Sequence, residues 1–197
     1  MAVKRSGIVI QMLKYKAPVI SILFAVFMFM ASVALAAEAT RIGDVTVSRD
    51  PVKASFSVNG AFTKEIEEAV KSGMPTTFNF IVELSRVSSI LPDDLLVRRE
   101  FQHTVKYDSL KDEYEMTLEE TGEKVRTKDF AEMKRLMSTV QSLSLAGASR
   151  ITAGSKYEIR IMAELDPVEL PMVLNYMLFF VKFWDFETDW YVYTLTP

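Results

Sequence analysis

The sequence predicts an α+β domain that is mainly β: an antiparallel sandwich-like fold with two or three short helices, preceded by an N-terminal signal or anchor helix. Three observations predict it. Runs of alternating apolar and polar residues recur along the chain, the mark of half-buried strands. Two short stretches instead space their apolar residues at helical intervals behind a capping residue. The first 36 residues differ in kind from the rest, being basic and then uncharged.

In that leader, Lys4, Arg5, Lys14 and Lys16 are the only charges before Glu38. An uncharged run follows from Ala17 to Ala37, most apolar over Val19–Met30, and closes on Ala34-Leu35-Ala36. A basic segment, an apolar stretch and an A-x-A end form a secretory signal, with cleavage expected between Ala36 and Ala37. Met12 is an alternative start that leaves Lys14 and Lys16 as the basic segment. Left uncut, the run is just long enough to span a hydrocarbon core of ~30 Å as an anchor. Either way the positive residues stay inside and the remainder is exported. The expected organisation is therefore residues 1–36 as signal peptide or membrane anchor and 37–197 as one exported domain. Its location is periplasmic, or held at the inner membrane with the C-terminal domain in the periplasm. Losing residues 1–36 takes the formal charge from −3 to −7.

Along the domain, Ile42, Val45 and Val47 lead to a turn at Asp50-Pro51. Val52, Ala54, Phe56 and Val58 then alternate with Lys53, Ser55, Ser57 and Asn59 as a half-buried strand. Thr63 can cap a helix to Lys71 with Ile66, Ala69 and Val70 as its buried stripe, and Gly73 and Pro75 stop it. Phe78, Phe80, Val82 and Leu84 make the next strand, before a loop or cap around Pro92-Asp93-Asp94. Val97, Arg99, Phe101, His103, Val105 and Tyr107 share one face of a further strand. Tyr114, Met116 and Leu118 form another, and Thr121-Gly122 turns the chain towards Val125. Asp129 and Glu132 have capping-box spacing, with Phe130, Met133, Met137 and Val140 following at helical intervals. Tyr157, Ile159, Ile161, Ala163 and Leu165 give a last clear alternation, ended by Asp166-Pro167. A helix to about Phe183 and a final strand using Trp190 and Val192 complete the reading.

Composition excludes several function classes. The chain has 197 residues, 25% of them charged, one histidine and no cysteine. That removes thiol nucleophiles, thiolate zinc sites, clustered histidine ligands and disulfides. An acidic balance without a basic block speaks against nucleic acid as a partner. The glycines form neither a P-loop nor a dinucleotide turn, and no G-x-S-x-G is present. No cofactor or metal is called for. His103 sits on the apolar face of its strand and reads as a core or edge histidine satisfied by one hydrogen bond.

The C-terminal stretch is the unusual part. Tyr176, Phe179, Phe180, Phe183, Trp184, Phe186, Trp190, Tyr191 and Tyr193 crowd into it. From Met172 to Trp184 the run is too short for an ordinary transmembrane helix, so it needs a core or a partner to bury it. Asp185, Glu187 and Asp189 alternate along an extended chain. They read as a solvated face opposite Phe186 and Trp190, the competing readings being a hard-cation site or an acid/base pair.

Leu174-Asn175-Tyr176-Met177-Leu178-Phe179-Phe180 and Phe183-Trp184-Asp185-Phe186-Glu187-Thr188-Asp189-Trp190-Tyr191 resemble the bacterial DUF4390 family. So do Phe62-Thr63-Lys64-Glu65-Ile66-Glu67-Glu68-Ala69, Ser72-Gly73-Met74-Pro75 and Glu164-Leu165-Asp166-Pro167. The resemblance covers residues 40–194. It implies an exported or membrane-anchored protein of unknown function, often encoded near a membrane sensor kinase gene, with no catalytic residues to carry over. The aromatic-rich stretch expected after Glu83-Leu84-Ser85-Arg86 is replaced here by Val87-Ser88-Ser89-Ile90-Leu91.

The expected function is thus a non-enzymatic envelope module that recognises another envelope or membrane protein. Its candidate surface is Trp184, Asp185, Phe186, Glu187, Asp189 and Trp190, and an uncut leader would add contact with the inner membrane. The alternatives are a carrier of a hydrophobic small molecule or lipid and, ranked below it, a carboxylate-dependent hydrolase.

Overall fold

In the computed structural model, residues 39–146, 151–152, 154–166 and 186–196 are described. The elements in chain order are β1 (Arg41–Arg49), β2 (Val52–Asn59), α1 (Lys64–Lys71), β3 (Thr76–Arg86), β4 (Asp94–Asp108), β5 (Glu113–Leu118), β6 (Glu123–Thr127), α2 (Phe130–Ser138), β7 (Thr139–Ala146), β8 (Tyr157–Leu165) and β9 (Tyr191–Leu195). All pairings are antiparallel, in a three-stranded sheet ordered β1-β2-β7 and a six-stranded sheet ordered β6-β5-β4-β3-β8-β9. The mainly β, antiparallel α+β fold read from the sequence is the fold observed. The leader, the Ala36–Ala37 junction, the predicted helix ending near Phe183, and Trp184 and Asp185 lie outside the described residues.

The alternation in β2 and β3 explains the core directly. Val52, Ala54, Phe56 and Val58 turn inward from β2, and Phe78, Phe80, Val82 and Leu84 turn inward from β3. The two inner faces meet where Phe56 lies edge-on to Phe80, with ring centroids 6.0 Å apart. Tyr157, Ile159 and Ile161 extend the same layer along β8. Such burial is the main stabilising term, and it suffices without covalent staples in a domain of this size.

Both helices begin at predicted caps. Thr63 Oγ1 accepts from Ile66 N–H at 3.4 Å. At the other end of α1, Gly73 takes φ +86 and its N–H bonds the Val70 carbonyl, while Met74 N–H reaches Ala69. This is the Schellman arrangement, which needs a residue tolerant of the left-handed region. Asp129 caps α2 by accepting from Ala131 and Glu132 N–H. The capping box itself is not closed, because Glu132 accepts instead from Thr127 Oγ1 at 2.6 Å, and Thr127 Oγ1 takes the Asp129 N–H. Met133 and Met137 of α2 are fully buried.

Val140 is a correction to the sequence reading. It continues the helical spacing of Met133 and Met137, yet α2 ends at Ser138 and Val140 belongs to β7. The strand was hidden because its buried residues, Val140, Leu143 and Leu145, are not evenly spaced by two. Ser142 adopts φ +52, and the register with β2 shifts between Ala54 and Phe56. One extra residue in the bulge restores the inward face. β1 does the same on the opposite edge of β2, with Asp44 at φ +50 and the register shifting between Gly43 and Thr46. The outward serines of β2 serve both bulges: Ser57 Oγ donates to Asp44 at 2.6 Å, and Ser55 Oγ accepts from Ser142 N–H at 2.9 Å.

Candidate functional site

His103, the chain's one imidazole, is fully buried on the inner face of β4 and makes two hydrogen bonds rather than one. Nδ1 lies 3.0 Å from the Met137 carbonyl, which can only accept, so Nδ1 carries a proton. Nε2 faces Glu120 Oε2 at 2.8 Å, with the Glu120 side chain 5% exposed, and one proton lies between them. The ring is packed edge-on against Phe80 at 4.7 Å. The pair therefore ties the last turn of α2 to β4 and to the residues after β5.

The predicted acidic stripe is partly seen. Glu187 and Asp189 are exposed and Phe186 and Thr188 are buried, as alternation requires. Phe186 is not a surface residue: its ring meets Phe78 edge-on at 5.3 Å and joins the core. The chain is held there by Leu165 N–H to the Phe186 carbonyl, Thr188 N–H to the Ala163 carbonyl, and Ala163 N–H to Thr188 Oγ1. Trp190 is half-buried, with the Arg160 guanidinium 4.8 Å from its ring centre. Among the described residues, no group of three or more His, Asp or Glu side chains could hold a metal ion.

The most distinctive exposed feature lies elsewhere, at the turn between β3 and β4. The two strands stay paired as far as Arg86↔Asp94, with one register shift between Leu84 and Ser85, and an Arg86–Asp94 ion pair of 2.7 Å closes the hairpin. Beyond it the loop is fixed by its own polar residues. Ser88 Oγ accepts from Leu91 N–H at 3.0 Å and from Ile90 N–H at 3.4 Å, and Asp93 Oδ1 accepts from Ser88 N–H at 3.1 Å. Val87 N–H bonds the Lys156 carbonyl, anchoring the base. This ordered turn presents Ile90, 93% exposed, and Leu91, 71% exposed, with Leu95 beside them at 52%.

Next to the hairpin, Arg98, Arg99, Glu100, Phe101, Glu119 and Glu120 line an open polar cleft of about 300 Å³. Arg98 is engaged by Glu83 at 2.7 Å and Glu100 at 3.5 Å. The tip leads into β4 and the cleft lies further along the same strand, at Arg98–Phe101. The sequence profile described as "Domain of unknown function (DUF4390)" matches residues 37–194. The chain belongs to the DUF4390 family. No curated protein and no solved structure matches it.

Two parts of this DUF4390 surface escape sequence reasoning. Glu120 reaches His103 only because the β4–β5 register sets His103 opposite Leu118, two residues before it. Ile90-Leu91 stood out only as a departure from the family pattern, although two large apolar residues between Ser89 and Pro92 are a signal in their own right.

Proposed function

We propose that the protein is exported to the bacterial envelope and acts there as a non-enzymatic interaction module for another envelope or membrane protein. One observation carries this reading: an internally hydrogen-bonded hairpin turn holds Ile90 and Leu91 out into solvent beside Leu95. Exposed aliphatic side chains on a pre-ordered turn bind at low entropic cost when a partner buries them. The enclosure of His103 fits the same reading, since the chain's one imidazole is spent on internal bonds.

The fold also sets the tip apart from where the chain enters. Thr40 Oγ1 donates to the Gly60 carbonyl, and Phe62, two residues on, lies 5.2 Å from Phe78 near the start of β3. The tip is at the other end of β3, roughly 25 Å along the strand.

The test is complementation of a deletion strain's envelope defect. Ile90→Ser with Leu91→Ser, present at normal levels, is expected to fail, while Leu110→Ser, at a 96% exposed apolar residue in another turn, restores it. Full restoration by the tip variant, or a deletion without envelope defect, would overturn the proposal.

A further inference from the structure

Strand β4 outruns its neighbour. Its register with β5 extends only from His103↔Leu118 to Asp108↔Glu113, and one more bond joins Glu119 N–H to the Gln102 carbonyl at 3.0 Å. On the other side β4 remains paired with β3 as far as Asp94. Val97–Phe101 is therefore a stretch of β4 with no neighbouring strand on this side among the described residues.

The direction of its free groups follows from antiparallel alternation. Gln102 turns its N–H and C=O towards β5, where the Glu119 carboxylate takes the N–H at 2.8 Å. No register shift occurs between Arg98 and Gln102, so Glu100 and Arg98 turn theirs the same way. The chain veers off beyond Leu118 into the turn closed by Gly122 N–H to the Glu119 carbonyl. The cleft beside Arg98–Phe101 is the space it vacates. Arg98, Arg99 and Glu100 are all exposed, so the slot is open to solvent.

We propose that this edge accepts an extended peptide segment of a partner protein by strand addition, antiparallel to β4 and in line with β5. The main chain of the segment takes the outward groups of Arg98 and Glu100, as the Glu119 carboxylate already does for Gln102. Charge selects its class. Arg99 is exposed and its guanidinium has no ion-pair partner among the described residues, so a carboxylate side chain belongs opposite it. Val97 and Phe101 share the face of Arg99, which favours apolar residues two positions to either side of that acid. This assignment rests on the interaction-module reading and names a second surface for it, on the strand that follows the apolar tip.

The test titrates isotope-labelled full-length protein in detergent micelles with two synthetic nine-residue peptides. In both, Val alternates with Thr, and the central Val is replaced by Glu in one and Lys in the other. The expected result is that the amide signals of Arg98 and Glu100 shift and gain protection from exchange. The Glu peptide should bind about threefold more tightly than the Lys peptide, and Arg99→Glu should reverse that order. Glu100→Pro removes one outward N–H without touching a β3 bond, so it should weaken binding while the remaining amide spectrum is kept. Unmoved Arg98 and Glu100 amides, or equal binding of the two peptides, would overturn the assignment. So would a concentration-dependent dimer that protects these amides, which would give the edge to a second copy. If any of these occurs while the tip variant still fails in cells, the edge assignment falls and the module reading stands.

Discussion

Replacing His103 with Ala is the sharpest probe of how this core is assembled. The imidazole is wholly buried and the Glu120 side chain is 5% exposed. Removing the ring leaves the Glu120 carboxyl group without its partner, strips the Met137 carbonyl of its donor, and opens a void against Phe80. Breaking a buried pair by deleting one member costs about 3–5 kcal/mol. Because Glu120 also borders the cleft, water reaches its carboxylate from one side, and the low end of that range, about 3 kcal/mol, is the expected loss. Urea unfolding of the full chain in detergent, followed by far-ultraviolet circular dichroism, reads this as a lower midpoint at unchanged slope. The double variant His103→Leu with Glu120→Leu should recover at least half of the loss, since apolar replacement of both partners avoids the stranded charge. A loss under about 1 kcal/mol for the single variant, or no recovery in the double, would refute the reasoning.

Three further outcomes follow from the same contacts. Asp129→Ala removes the side chain that accepts from Ala131 and Glu132 N–H, and should cost about 1 kcal/mol in the same unfolding assay. Ser142→Gly relieves a non-glycine residue at φ +52 while keeping the N–H bond to Ser55, and should stabilise the protein by about 0.5–1 kcal/mol; destabilisation would contradict the bulge reading of β7. Glu67 is held below the usual carboxylate range, first by the hydrogen bond from Lys134 at 2.7 Å and then by Lys71. Its folded pKa is depressed, so its contribution is present above the unfolded value near about 4.3 and is lost as pH falls through the folded one. Glu67→Gln should therefore cost about 0.5–1 kcal/mol at neutral pH and nothing in acid, as stability measured across that range would show.

Legibility tracked the regularity of the local pattern. β2, β3, β8 and the cap and stop of α1 were readable because period-2 alternation, Thr63 and Gly73 each act locally. β7 was not, since the bulge at Ser142 breaks the alternation and Val140 falls in step with the helix before it. Phe101, His103 and Val105 were placed on the correct inner face; Val97 on that face is half-buried against the core, while Arg99 between Val97 and Phe101 is exposed, beyond the stretch of β4 that β5 pairs. The partner of His103 and the open edge share one cause. Both follow from where β5 stops, which is a property of pairing between distant residues and leaves no mark in either strand alone.

The central claim, that the β3–β4 tip meets a protein partner, is tested most directly by photo-cross-linking in living cells. A photoreactive residue is placed at Ile90, Leu91 or, as control, Leu110 of the full chain. The account predicts one discrete adduct from positions 90 and 91 and none from 110. No adduct from the tip, or the same adduct from Leu110, would contradict it.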